Sequence, residues 1–191
     1  MYSLLSALLA VLSLAFAVPF HPEIRDSNPG CQAASFGDFE WTIQTFSYNL
    51  SYVYTTPAHH NDYGSIGFDL ANPALEYQTT CEASSSSIST LFLVNHDCTM
   101  LNGSTTETTF SFSQSSGLLD VNQTWVCSNE DPQYPTTFHA YGSVNLTSSI
   151  SCSSETTTNP DWELGETYSE QEVVCGPVTI ALKPDEITAV A

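Results

Sequence analysis

The stretch Phe39-Glu-Trp41-Thr-Ile43-Gln-Thr-Phe46-Ser-Tyr48-Asn-Leu50-Ser-Tyr52-Val-Tyr54 decides the fold class. Large apolar side chains fall on every second residue, the period of a strand with one buried face. They occupy odd positions up to Ile43 and even positions from Phe46. One inserted residue flips a strand's faces, so the phase change at Gln44-Thr45 predicts a β-bulge or a strand break.

The same alternation recurs downstream. It marks Ile66-Phe68-Leu70, Leu75-Tyr77-Thr79-Cys81, Phe110-Phe112, Leu119-Val121-Gln123-Trp125-Cys127, Val144-Leu146 and Val178-Ile180-Leu182. Turn formers punctuate these runs at Asn61-Asp62-Tyr63-Gly64, Asn72-Pro73, Asn102-Gly103, Ser116-Gly117 and Asp131-Pro132. Ser84 to Ser87 and Ser104 to Thr109 read as solvated polar loops. No segment beyond the N-terminal apolar run shows a sustained helical period, and Ser and Thr abound. The expected class is all-β: a compact antiparallel barrel or sandwich.

The N-terminus reads differently. Leu4 to Phe16 is almost continuously apolar, too short to span a bilayer comfortably, and ends in Ala15-Phe16-Ala17. That pattern predicts a signal peptide over 1–17, cut between Ala17 and Val18, although its start carries no Lys or Arg. A Pro-containing flexible arm over 18–30 is expected next, then one domain over 31–182 and a tail over 183–191. The C-terminal residues ALKPDEITAVA are too polar for a lipid-anchor signal. The expected location is extracellular.

Cysteine usage agrees. Cys31, Cys81, Cys98, Cys127, Cys152 and Cys175 all follow the signal, and no Cys-x-x-Cys occurs. An even count in an exported chain implies disulfides. N-x-[ST] sequons at Asn49, Asn102, Asn122 and Asn145 mark N-glycosylation candidates.

Composition excludes several functions. Two Lys or Arg face 21 Asp or Glu, for a formal net charge of −19. Phosphate neutralisation needs clustered cations, so nucleic acid is excluded as a partner, and a polybasic membrane anchor with it. Arg25 and Lys183 are the only Lys or Arg and both fall outside residues 31–182, so the domain offers trypsin-like proteases no cleavage site. Hydrophobic residues at 41% supply a packed core.

Catalytic motifs are missing: there is no Gly-x-Ser-x-Gly, His-Glu-x-x-His, P-loop or dinucleotide fingerprint. With so many carboxylates, a close acidic pair would not be diagnostic of a hydrolase. His59-His60-Asn61-Asp62 and His96-Asp97-Cys98 contain metal-ligand types. They read better as a polar loop and as half of a disulfide. No cofactor or metal is expected. The Tyr52 to Tyr63 region and Trp162 are the candidate contact residues.

Several segments resemble the Alternaria major allergen family of fungal secreted proteins. The opening Cys31-Gln-Ala-Ala-Ser-Phe-Gly-Asp-Phe-Glu-Trp41-Thr-Ile-Gln-Thr-Phe46 is similar to the family's Cys, five residues, Gly-Asp-aromatic, then Trp-x-Ile-x-x-Phe. The likeness continues through Ser65-Ile-Gly-Phe-Asp-Leu70, Cys81, Cys98, Phe110-Ser-Phe-Ser-Gln-Ser-Ser-Gly-Leu-Leu119 and Val173-Val-Cys175. The resemblance implies a compact β-barrel exported by a fungus, without a catalytic motif. It implies an allergen-like or effector-like protein that binds host extracellular defence proteins; the −19 charge adds that such partners should be basic. It also implies, as an alternative, a carrier of small phenolic ligands. A carboxylate-based hydrolase ranks last. The resemblance implies the disulfides Cys81–Cys98 and Cys152–Cys175, leaving Cys31 and Cys127 as the remaining pair. Cys127 is extra to the family pattern, and the Cys152 to Cys175 segment is long. In the family the residue matching Cys31 can bridge two subunits, whereas Cys127 could hold it within one chain. Monomer and homodimer therefore both stay open.

Overall fold

A computed structural model of the chain describes residues 30–100 and 107–191. The signal segment, the Ala17–Val18 junction, the arm up to residue 29 and the Asn102 sequon lie outside the described residues. The described strands form two sheets and pair antiparallel throughout.

The six-stranded sheet contains β1 (Trp41–Thr56), β2 (His59–Ala71), β3 (Gln78–Ser85), β5 (Thr99–Met100), β9 (Cys152–Thr158) and β10 (Ser169–Leu182). Its order is β5-β3-β2-β1-β10-β9. The five-stranded sheet contains β4 (His96–Asp97), β6 (Glu107–Ser113), β7 (Leu118–Cys127), β8 (Thr136–Asn145) and β11 (Glu186–Val190), in the order β11-β8-β7-β6-β4. The sheets stack as a sandwich; hydrogen bonds do not close them into a barrel. At each of two corners the chain switches sheets within a few residues, through Cys98 between β4 and β5 and through residues 183–185 between β10 and β11.

The inward rows meet as the alternation predicts. Phe46 packs on Phe112 at 5.1 Å and Phe68 on Phe110 at 5.1 Å between ring centroids. Trp41 on β1 donates its indole N–H to the Gln123 side-chain oxygen on β7 at 2.9 Å, and Asn72 donates to the same oxygen at 2.8 Å. This polar bridge is buried, where a satisfied hydrogen bond fixes one registry of the two sheets. The expected irregularity at Gln44-Thr45 is a bulge: β1's register shifts there against both neighbours, and Thr45 adopts φ 55°.

Several segments differ from the sequence reading. Asn61 to Gly64 is not a turn but part of β2, paired in register with Val53 to Leu50. The hairpin turns earlier, at Pro57-Ala58, where the Thr56 hydroxyl accepts the amides of Ala58 and His59 at 3.3 and 3.1 Å. Ser84 and Ser85 end β3, and Thr108 is buried in β6, so neither polar stretch is wholly loop. The segment read as a tail over 183–191 carries β11, which pairs with β8 from Glu186↔Tyr141 to Val190↔Thr137. Two helices are too short to leave a period in sequence: α1 (Cys31–Phe36) and α2 (Ile88–Leu91).

The sulfurs stand at bonding distance in three pairs, Cys31–Cys127, Cys81–Cys98 and Cys152–Cys175, and no free cysteine remains among the described residues. The first fastens α1 to β7. The second ties the sheet-switching corner to β3. The third joins directly opposite residues of β9 and β10.

A candidate interaction surface

The six-stranded sheet is longer than its partner. Along β1 the inward residues Tyr48 and Leu50 are buried, whereas Tyr52 and Tyr54 are only half-buried. Every residue of β9 is exposed. The distal parts of β1, β2, β9 and β10 therefore overhang the sandwich with an unshielded inward face.

That overhang is aromatic and acidic. His60 packs against Tyr54 at 5.0 Å and Tyr52 at 5.9 Å. Trp162, in the β9–β10 connection, donates its indole N–H to the Glu166 carbonyl at 2.9 Å and meets Tyr168 edge-on at 5.8 Å. It is thus half-buried against its own loop and not a free stacking platform. The carboxylates of the overhang are divided: Asp62 pairs with Tyr52 on the inward face, Glu155, Glu170 and Glu172 stand on the outward face, and Asp161, Glu163 and Glu166 lie in the β9–β10 connection, with no Lys or Arg among residues 51–63 or 152–172. Glu155 and Glu172 face each other directly across β9 and β10, an arrangement that costs stability through like-charge repulsion. Lys183, the one Lys or Arg among the described residues, is engaged elsewhere: its ammonium donates to Asp38 at 2.9 Å. That hydrogen bond, with the charge attraction added, lowers the Asp38 carboxyl pKa and raises that of Lys183.

At the base of the overhang an open groove of about 410 Å³ runs between Tyr52, Asp62, α2 and the Ser113-Gln114-Ser115 turn. The helix α2 owes its place to Gly64. A β-carbon on Gly64 would stand 2.8 Å from Leu91 and 3.3 Å from Leu50. The glycine read as a turn former is therefore a space-maker, and its absent side chain lets Ile88 and Leu91 bury on the sheet. Asp62 also accepts the Ile88 amide at 3.3 Å. Beyond the helix, Phe92 packs edge-on to Tyr48 at 5.9 Å and Phe112 at 5.7 Å. Leu93 and Val94 then project into solvent at 81% and 43% exposure. Burial raises the Tyr48 phenol pKa, opposed by its hydrogen bond to Gln114.

Substituting Gly64 by Ala is expected to lower stability by ~1–3 kcal/mol, the cost of overpacking. Gly67→Ala, whose added carbon finds its nearest neighbour at 3.4 Å, is expected to be close to neutral. Paired urea denaturation curves check the contrast.

The remaining candidate residues do not gather into a chemical centre. His59, His60 and Asp62 belong to one strand, and His96 is spent on the Leu91 carbonyl at 2.8 Å. No group of three His, Cys, Asp or Glu side chains among the described residues is placed to hold a metal ion. No helix among them is long and apolar enough to cross a membrane. Sequence reasoning missed Leu93, Val94 and α2, which no periodicity announces. Asn49 and Asn122 are exposed on the outward faces of β1 and β7, while Asn145 ends β8.

Fold and surface together define a class: a small, acidic, disulfide-stapled β-sandwich whose distinctive features are open surfaces. A model of the family described as Alternaria alternata allergen 1 matches residues 43–175, more than two thirds of the chain. The chain belongs to that family and is a fungal allergen-like protein. No curated protein and no solved structure matched the chain.

Proposed function

We propose that the protein is exported and acts by non-catalytic recognition of basic proteins in a host's extracellular space, an effector-like role, through the overhang and its groove. The observation that carries this reading is the coincidence, on one projecting end, of exposed apolar side chains with seven carboxylates and no Lys or Arg. A field of that sign attracts cationic proteins and repels acidic polysaccharide. Exposed charges at moderate salt act mainly on association rate, so affinity must come from the apolar ridge of Phe92, Leu93 and Val94.

A small phenolic ligand is the second reading, favoured by the tyrosine and phenylalanine lining of the groove. It would have to lie there, because the aromatic rings between the sheets pack against one another. The sandwich interior is spent on its own side chains.

The test is binding of the purified mature protein to basic and to acidic proteins of plant extracellular fluid across a salt series. Leu93→Ser is expected to weaken binding about 10-fold, or ~1.4 kcal/mol, mostly through faster dissociation. Glu170→Gln with Glu172→Gln is expected to slow association and flatten its salt dependence. Salt-insensitive binding, or preference for acidic partners, would remove the electrostatic claim. Turnover of a polysaccharide or ester, lost on changing one carboxylate, would overturn the non-catalytic one.

A further inference from the structure

The three sequons within the described residues occupy unlike settings. Asn145 has both amide atoms engaged: its N–H donates to the Ser116 carbonyl at 2.8 Å, and its oxygen accepts the Thr147 amide at 3.0 Å. The sequon's own Thr147 hydroxyl donates to that same Ser116 carbonyl at 3.2 Å. This turn uses the asparagine structurally. Asn49 is open, but the surface around it is a polar saddle of Ser47, Ser65, Glu82 and Ser84 over Gly67, with no aromatic ring.

Asn122 differs from both. It is exposed on the outward face of β7, and among the described residues no hydrogen bond holds its amide. Directly opposite on β8 stands Tyr141, whose side chain is exposed. Opposed residues of an antiparallel pair have β-carbons about 4.5–5.5 Å apart, within reach of an aromatic ring. The ring is held in place: its hydroxyl donates to Asp120 at 3.1 Å, and this bond to the carboxylate raises the phenol pKa. Beside the pair lies a depression of about 210 Å³, bounded by Thr124, His139, Glu186 and Thr188 as well. The Thr124 hydroxyl there already shares a hydrogen bond with the His139 ring at 2.9 Å.

We propose that Asn122 carries an N-linked glycan and that its first N-acetylhexosamine rests in this depression on the Tyr141 ring. The chemistry is transfer from a lipid-diphosphate-linked oligosaccharide. The Asn122 amide nitrogen bonds to the donor's anomeric carbon and gives up one proton to a base of the transferase. The anomeric C–O bond breaks, and the lipid diphosphate leaves with the electron pair. The C–H face of the sugar then covers the ring, an amphipathic surface suited to it, while sugar hydroxyls and the acetamido group reach the polar rim. Partial cover of a solvated sheet face and of the β8–β11 junction is the structural result. The site rests on entry into the secretory route, as proposed above.

The test is expression of the full chain, with its own first residues, in a filamentous fungus. Secreted protein is treated with peptide-N-glycosidase in 18O-water and mapped with a non-tryptic protease. An 18O-labelled aspartate is expected at position 122, and Asn122→Gln is expected to lose the mass of one glycan. The glycosylated chain is expected to unfold at a higher temperature than its Asn122→Gln counterpart. That gap is expected to persist in Tyr141→Phe and to vanish in Tyr141→Ala. Secretion with Asn122 unmodified overturns the site and leaves the export reading standing. A chain that never leaves the cell overturns both. A glycan at Asn122 whose stabilisation survives Tyr141→Ala overturns the stacking.

Discussion

Replacing Cys31 and Cys127 together by serine is expected to lower stability by ~4–5 kcal/mol, because their bridge closes a loop close to 100 residues. The sequence separation is 96, against 17 and 23 for the other two bridges, whose removal should cost nearer ~3 kcal/mol each. Against a native margin of ~5–15 kcal/mol, the loss is a large share of the total. The bridge is also the covalent anchor of α1, which is held besides by the Ser35–Trp125 hydrogen bond, by Gln32 donating to Thr136 at 3.0 Å and by Phe36 packing edge-on to Phe138 at 5.0 Å. Denaturant midpoints of the oxidised protein and the double variant measure the effect. The single variant Cys127→Ser adds a second readout. It releases the Cys31 thiol, and a reducible dimer on non-reducing electrophoresis is the expected product.

Truncation of Trp125 to alanine is expected to cost ~3–5 kcal/mol, the range for emptying a buried aromatic site. Trp125 is fully buried and lies flat between Phe39 at 5.3 Å and Phe138 at 5.5 Å, with interplanar angles of 13° and 12°. Its indole N–H donates to the Ser35 hydroxyl at 3.0 Å, and that hydroxyl in turn donates to the Cys31 carbonyl at 2.7 Å. The ring therefore couples β7 to α1 through packing and through a hydrogen bond. Trp125→Phe separates the two contributions. It retains an aromatic ring between the neighbouring rings and removes the donor, for an expected loss nearer ~1–2 kcal/mol. Equilibrium unfolding of the three proteins, followed by far-ultraviolet circular dichroism, distinguishes these outcomes.

What was legible in the sequence follows from which faces are buried. The core strands announce themselves because one face packs and the other does not, as in Leu119 to Cys127, where buried residues alternate without a break. The bulge at Thr45 was readable for the same reason. By contrast, β9 has no buried face, so Cys-Ser-Ser-Glu-Thr-Thr-Thr carries no alternation. β11 was hidden likewise, exposed along its length and held by backbone pairing with β8. Gly64 misled because a glycine that makes room for α2 looks the same in sequence as one that makes a turn. The aromatic content of the surface was visible, but its location was not. Tyr52 and Tyr54 continue the run that buries Tyr48, and only the length of the second sheet decides where cover ends.

The sheet edge at β9 has a consequence for the protein as a colloid. Edge strands usually keep strangers away with an inward lysine, a proline or a twist away from the sheet. β9 has neither lysine nor proline, and Glu155 is the only ionised side chain along it. Mutual repulsion between molecules carrying a net charge of −19 guards this edge at neutral pH. Such a guard has no geometric component and disappears as the carboxylates take up protons. Near the isoelectric pH of about 4.1, the molecules lose their reason to stay apart while the backbone groups of β9 still seek partners. Acidity therefore governs how long the folded protein remains dispersed, through the spacing between molecules.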